Sequence, residues 1–251
     1  MKGLLTVIGS GPGDPNLIVP AAKREIKKAE VIAGYPKYLK LLGTLIDGKK
    51  TITTGMRKET ERVEEALKTA AEGNRVCLVS SGDAGIYGMA GLALEMLYDK
   101  KLEDVVEVKV MPGITAASSC ASLLGAPLMH DFCVISLSNL LTKTELIELR
   151  LKLAAEGDFV TVLYNPKSSR RVELIETARK TFLNHRSPNT PVGIVNDAYR
   201  DSCTVDITTL EKLCDDYENI NMSSTVIIGN SSTKHIGGHM ITPRGYQLGI
   251  N

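Results

Sequence analysis

The residues of this chain that could do chemistry sit on glycine-rich turns. Ser80 to Met89 reads Ser-Ser-Gly-Asp-Ala-Gly-Ile-Tyr-Gly-Met and sets one carboxylate, Asp83, among Gly82, Gly85 and Gly88. Glycine takes positive φ without steric penalty and lets a ligand approach the backbone, and these three are expected to serve that way. The run before them, Arg75 to Val79, is short, apolar and β-branched like a buried strand, and Ala90 to Tyr98 after them carries Leu94, Leu97 and Tyr98 at helical spacing. Strand, tight loop and helix in that order place the loop at a strand's carboxyl end, where open α/β sheets hold ligands. Taken alone, the same loop is equally a turn in which Asp83 caps the helix.

A second glycine loop, Gly9-Ser-Gly-Pro-Gly-Asp-Pro15, follows the apolar strand Leu4 to Ile8. It departs from a dinucleotide fingerprint in having Asp14 where the third glycine belongs and Pro12 where an amide is needed, and no Gly-Lys-Ser/Thr follows to make a phosphate loop. Fewer donors and an acidic end suit a ligand without phosphates. A third turn, Pro112-Gly-Ile-Thr-Ala-Ala117, ends the strand Val105 to Met111 and allows close approach to a ligand or to another helix. Arg57 and Lys58 precede a helix in which Val63, Ala66, Leu67 and Ala70 make one face and Glu64 pairs with Lys68. Cations at a helix start oppose its dipole, so the two read either as captors of a ligand carboxylate or as solvated loop charges. His130 beside Asp131 reads as a surface pair or as an acid–base group.

The elements that must carry these loops divide in two. Strands at 4–8, 31–33, 51–54, 75–79 and 105–111 alternate with helices at 17–29, 59–72, 90–98 and 116–124. A further set follows, with strands at 132–137, 158–163, 191–195, 202–208 and 224–228 and helices at 143–155 and 170–185, the latter capped by Ser168 and Ser169. The expected organisation is α/β with two domains, 1–112 and 113–251, and a ligand in the cleft between them. Composition fits a soluble chain: 43% of 251 residues are hydrophobic, and 30 basic residues nearly balance 29 acidic ones. No global field points to nucleic acid or membrane. Five separated cysteines, without a Cys-x-x-Cys pair, argue against a disulfide framework, a metal site or an iron–sulfur cluster. Without a signal-peptide pattern or a span of ~20 apolar residues, the expected location is the cytoplasm.

Together, Gly9 to Pro15, Ser80 to Gly88, Pro112 to Ala117 and Gly229-Asn-Ser-Ser-Thr233 resemble the tetrapyrrole (corrin/porphyrin) methyltransferase family over nearly the whole chain. Gly55-Met-Arg-Lys-Glu59, Gly125-Ala-Pro-Leu-Met-His-Asp131, Leu163-Tyr-Asn-Pro-Lys-Ser168 and Met240-Ile-Thr-Pro-Arg-Gly-Tyr246 are similar to the members that methylate ring carbon 17 of a precorrin-3 type macrocycle in cobalamin biosynthesis. The resemblance implies two α/β domains, usually a homodimer, with S-adenosyl-L-methionine in the interdomain cleft. It also implies methyl transfer with ring contraction on a substrate that either carries cobalt or does not, and S-adenosyl-L-homocysteine as product. The implied cofactor contacts are Pro12, Ser81, Gly82, Asp83, Ile86, Thr115 and Ala116, with Tyr164, Asn165 and Ala198 from the second domain. Ring contraction asks for an acid–base partner, for which Ser10, Asp83 and His130 are the candidates, with Asn139 and Asn196 nearby in the expected cleft. The acetate and propionate groups of such a substrate match Arg57, Lys58, Lys167, Arg170 and Arg171, with Asn139 as a further contact. A methyltransferase acting at another corrin position, such as on a precorrin-4 type substrate, is the alternative within the family. An NAD(P) oxidoreductase, a nucleotide-binding regulator and a non-catalytic pigment carrier are the alternatives outside it.

Overall fold

The computed structural model describes residues 2–168, 172–215 and 217–247. The chain divides into two compact units, Met1–Ala116 and Ala117–Asn251. Each is α/β, as the sequence predicts.

In the first unit β1 (Gly3–Gly9), β2 (Val31–Gly34), β3 (Lys50–Thr53), β4 (Arg75–Ser80) and β5 (Val106–Met111) pair in the order β3-β2-β4-β1-β5. Every pairing is parallel. A parallel sheet needs a crossover between strands and is covered on both faces, and the alternation of its buried residues shows how. Leu5 and Val7, Val31 and Ala33, and Val76 and Leu78 point to one face, packed by α3 (Glu59–Ala71) and α4 (Ala90–Asp99). Ile8, Ile32, Cys77 and Val79 point to the other, packed by α1 (Pro20–Lys28) and α2 (Pro36–Lys40). On α3 the predicted face, Val63, Ala66, Leu67 and Ala70, is fully buried.

Three local expectations are corrected here. The first helix starts at Pro20 and not at Leu17. Pro15–Leu17 forms a separate 3-10 turn capped by Asp14, whose Oδ1 accepts from Asn16 N at 2.7 Å. Val19, preceding Pro20, is held extended by the proline ring, and that ends the turn and starts the helix. On α4 the buried residues are Ala90, Ala93 and Leu97, while Leu94 and Tyr98 face solvent. Glu64 takes Lys100, the residue that ends α4, at 2.7 Å as its partner in place of Lys68.

α5 (Ala116–Leu124) leads into the second unit and a two-residue strand, β6 (Gly125–Ala126). There β7 (Phe132–Ser136), β8 (Val160–Tyr164), β9 (Pro191–Asn196), β10 (Thr204–Thr209) and β11 (Ser224–Ile228) pair in the order β10-β9-β11-β8-β7. Only β7 with β8 is parallel in this sheet; β9 and β10 pair antiparallel on either side of the turn that holds Tyr199 to Asp201. One face packs on α6 (Thr144–Glu156) and α7 (Glu173–Leu183) through Ile147, Leu151, Leu163, Ile175, Phe182 and Ile194. α5 lies over the other, where a methyl at Gly193 would meet Leu124 Cδ1 at 2.4 Å. The last segment, hard to assign from sequence, is a hairpin of β12 (Lys234–Ile236) and β13 (His239–Ile241), with β13 also pairing β6. α7 is described from Glu173, behind Val172, which offers no side-chain cap; the expected start at Arg170 and the expected cap Ser169 lie, with Arg171, outside the described residues.

Candidate functional site

In the first unit all five strands end on one edge, and the two principal glycine loops must cross there. The chain leaves β1 towards β2, passing β4, while the chain leaving β4 heads for β5, passing β1. Where they cross, Gly11 and Gly82 form an antiparallel bridge, Gly11 N donating to Gly82 O at 3.0 Å and Gly82 N to Gly11 O at 2.8 Å. Ser10 N donates to Ser80 O at 2.8 Å just before it. The Pro-Gly turn after β5 closes on the same point. A methyl on Gly113 would lie 2.1 Å from Gly82 O, and one on Gly9 would lie 2.7 Å from Gly113 N. Three backbones thus meet at a spacing that only glycine permits.

Asp83 fastens this junction. Its Oδ2 accepts from Gly113 N at 2.8 Å and its Oδ1 from Gly85 N at 2.7 Å, joining the β4 loop to the β5 turn. It is not the cap of α4, whose N-cap is Met89; Met89 N instead donates to Ser80 Oγ at 3.1 Å. Of the loop's glycines only Gly82 uses positive φ, at 67°. Gly88 is required for room, since a methyl there would meet Ala84 O at 2.4 Å, and the left-handed residue beside it is Tyr87 at φ 53°. Around the junction, Ser10 and Pro12 are buried, Ser81, Gly82, Asp83, Thr115 and Ala116 are half-buried, and Ile86 is exposed. Gly82 faces the turn closely enough that a methyl on it would sit 3.8 Å from Thr115 Cα and 3.9 Å from Ala116 N. The residues expected from the β1, β4 and β5 loops therefore come together, with Ile86 and Tyr87 on the open side.

The loop after β3 carries Arg57 and Lys58, both exposed, with Arg57 at φ 65°. Lys58 Nζ pairs with Glu61 at 2.9 Å, and Thr54 Oγ1 donates to Lys58 O at 3.0 Å, which closes the loop on itself. Beneath it lies Arg62 of α3, only 2% exposed.

In the second unit the loops after β8 and β9 are the irregular ones. Asn165 at φ 53°, Asp197 at φ 44° and Tyr199 at φ 58° all adopt the left-handed region, which for a tyrosine is strained. Tyr164 Oη accepts from Ala117 N at 2.6 Å, satisfying an amide in the first turn of α5. Asn165 Nδ2 donates to Ser136 Oγ at 2.9 Å, and Ala198 is buried. Asn196 Nδ2 donates to Thr204 Oγ1 at 2.9 Å, and its Oδ1 accepts a short bond from Ser224 Oγ. Tyr199 shares a hydrogen bond of 2.8 Å with Ser122 Oγ on α5. Asn139 and His130 are exposed, the first 3.4 Å from Thr144 Oγ1, the second accepting from Asp131 N at 2.8 Å. Lys167 is half-buried, and Arg170 lies outside the described residues.

Arg62, Tyr87, Ser122 and Tyr199 were not anticipated. A lone arginine on a helix and a tyrosine in a loop carry no spacing signal, and a left-handed φ at a residue other than glycine leaves none either. The Gly229 to Thr233 motif, by contrast, proves to be internal structure. Asn230 Oδ1 accepts from Ser232 N and Thr233 Oγ1, Ser231 binds Asp158, and Thr233 shares a bond of 2.8 Å with Thr242. Arg186, its side chain fully buried, donates to Gly229 O and to Phe159 O. The second unit also has an open groove along α7, lined by Glu173, Glu176, Arg179, Glu211 and Cys214, none of them expected in a site. Among the described residues no three His, Cys, Asp or Glu side chains are grouped to hold a metal ion, and no helix is long and apolar enough to cross a membrane.

Residues 4–214 match the profile of the tetrapyrrole (corrin/porphyrin) methylases. A cobalt-factor III methyltransferase of Priestia megaterium is 51% identical over 249 residues, 98% of this chain and 46% of that protein, so the chain spans about half the length of that relative. A probable cobalt-factor III C(17)-methyltransferase of Salmonella typhimurium is 46% identical over 245 residues, 98% of this chain and 100% of that protein. The crystal structure of the methyltransferase CobJ has the same fold at a TM-score of 0.90 and 33% identity, covering 96% of this chain and 100% of that one.

Proposed function

The chain belongs to the tetrapyrrole (corrin/porphyrin) methylases, and from that premise we propose that it transfers a methyl group from S-adenosyl-L-methionine to ring carbon 17 of a precorrin-3 type macrocycle, with ring contraction, in cobalamin biosynthesis. The observation that carries the reading is the junction of Gly9, Gly82 and Gly113 fastened by Asp83. It makes a dense cluster of backbone groups at a sheet edge, and no phosphate-binding sequence accompanies it. S-Adenosylmethionine, bearing an amino acid, a sulfonium and an adenosine but no phosphate, suits such a cradle. When bound it supplies an electrophilic methyl whose bonding pair stays with sulfur as the carbon attacks. The protein's own part is alignment and exclusion of water, from which reactions of this kind gain most of their rate.

On this reading Pro12, Ser81, Gly82, Asp83, Ile86, Thr115 and Ala116 of the first unit hold the cofactor, and Tyr164, Asn165 and Ala198 of the second contribute to it. Arg57, Lys58, Asn139, Lys167 and Arg170 meet the carboxylate rim of the macrocycle. Ser10, Asp83 and His130 are the proposed acid–base groups of the contraction. The names of the relatives favour a cobalt-bearing substrate, with the cobalt belonging to that substrate. The protein works in the cytoplasm as a homodimer, which light scattering on the purified chain would check.

Incubation with S-adenosylmethionine and either cobalt-factor III or a precorrin-4 type compound, followed by mass spectrometry, tests the assignment. Gain of one methyl by the first alone is expected. Methylation of the second alone would move the chain to another ring position. Calorimetric binding of NAD(P) without S-adenosylhomocysteine would end the reading, as would pigment binding without cofactor binding.

A further inference from the structure

Arg62 is a buried cation, and among the described residues no carboxylate faces it at ion-pair distance. Its Nη2 donates to Thr54 O and Gly55 O, both at 3.1 Å, and its Nη1 lies 3.5 Å from Met89 Sδ. Its Nε is buried without a partner. Burial pushes the guanidinium down from its ordinary value, with the charge interactions of Glu59, Tyr38 and Tyr35 acting the other way. Burying a charge against carbonyls alone is costly, so a site of this kind persists where it fixes something. What it fixes is identifiable. Both carbonyls open the loop of Thr54 to Lys58, the other end of that loop is the N-cap of α3, where Arg62 N makes the first-turn backbone bond to Lys58 O at 3.1 Å, and Met89 closes the β4 loop. The Arg62 side chain therefore grips the start of the segment that carries Arg57 and Lys58, whose far end is the first turn of its own helix, and touches the end of the loop proposed to hold the cofactor.

We propose that Arg62 is the positioning residue of this loop, setting Arg57 and Lys58 in place for the carboxylates of an acidic macrocycle; the second half of this rests on the role given to those two cations above. Arg62 itself, buried under the loop, touches no substrate. Its planar fork reaches two carbonyls at once, which the single ammonium of lysine does not reproduce.

Trypsin reads the loop directly, because Arg57 and Lys58 are exposed. In Arg62→Met, cleavage after these residues should quicken about tenfold relative to cleavage elsewhere, the size expected from losing a charge-assisted bond. Arg62→Lys should fall between, and carries the comparison if Arg62→Met does not fold. The macrocycle KM should rise about tenfold while kcat stays within about threefold. Adding Arg62→Met to the Arg57→Ala/Lys58→Ala double variant should leave its KM unchanged, since Arg62 acts through the two cations of the loop. Unchanged cleavage and KM in both Arg62 variants would overturn the proposal. So would a fall in kcat at constant KM, the sign of lost folded enzyme. If Arg57→Ala and Lys58→Ala leave KM unchanged while Arg62→Met still opens the loop to trypsin, the substrate role of the two cations fails and the anchoring stands. If the wild-type protein transfers no methyl group at all, the functional reading fails, and the cleavage rates alone decide the anchor.

Discussion

Gly113 has no room for a methyl group, whereas Gly82 has room but an unusual backbone angle, and the two should fail differently. Gly113→Ala would drive a carbon to 2.1 Å from Gly82 O and disturb the amide that binds Asp83. A cost of about 3 kcal/mol or more is expected, because backbone cannot step aside as a side chain can. Gly82→Ala meets nothing closer than 3.8 Å and bears only the left-handed strain of φ 67°, about 1 kcal/mol. Urea unfolding of the two variants separates them. Glu176 gives a pH dependence instead. Its hydrogen bond to Arg179, reinforced by Cys214 and Lys180, lowers its carboxyl to about 2 from the ordinary 4.5. A depressed folded value means stability fully present above the unfolded value and lost as pH falls through the folded one. Wild-type protein should therefore lose about 1 kcal/mol between pH 5 and about pH 2 that Glu176→Gln does not lose, as denaturation at stepped pH would show. The neighbouring Cys214 thiol, pushed up to about 12 by burial and then by Glu176, stays protonated throughout.

At the scale of elements, the informative contact is a side chain that finishes a helix. α5 begins at Ala116 within a loop proposed to hold the cofactor, and the phenol of Tyr164, at the end of β8, accepts the Ala117 amide. Tyr164→Phe keeps the ring and removes the acceptor. A loss of about 1 to 2 kcal/mol on unfolding is expected, together with weaker binding of S-adenosylhomocysteine in calorimetry, since the first turn of α5 frays without its partner. Unchanged affinity would separate the helix start from the cofactor. Periodicity made these elements legible: the buried face of α3 and the alternating strands were read correctly from spacing alone, because burial on one face repeats at the period of the element. It did less well where proline decides a boundary. The start of α1 was set by the pair Pro15 and Pro20.

For the molecule as a whole, ligand linkage is the measurable consequence. A ligand that binds only the folded state at a hundredfold excess over its Kd adds about 2.7 kcal/mol. S-Adenosylhomocysteine should therefore raise the unfolding midpoint where NADP and inorganic phosphate do not, and equal shifts from all three would contradict a phosphate-free cradle. By itself the sequence determined the α/β class, the five strands of the first unit and the family its glycine loops resemble, because glycine, proline and apolar spacing are local properties that the chain writes in order. It also determined that Pro12 and Asp14 spoil a dinucleotide loop. Tertiary structure alone decided that Gly9, Gly82 and Gly113 share one point, that Asp83 is spent on two amides and caps no helix, and that Arg62 lies beneath the loop it grips. These facts depend on strand order. Residues some thirty and seventy positions apart become neighbours only when β4 pairs beside β1, and nothing in their own spacing records that pairing.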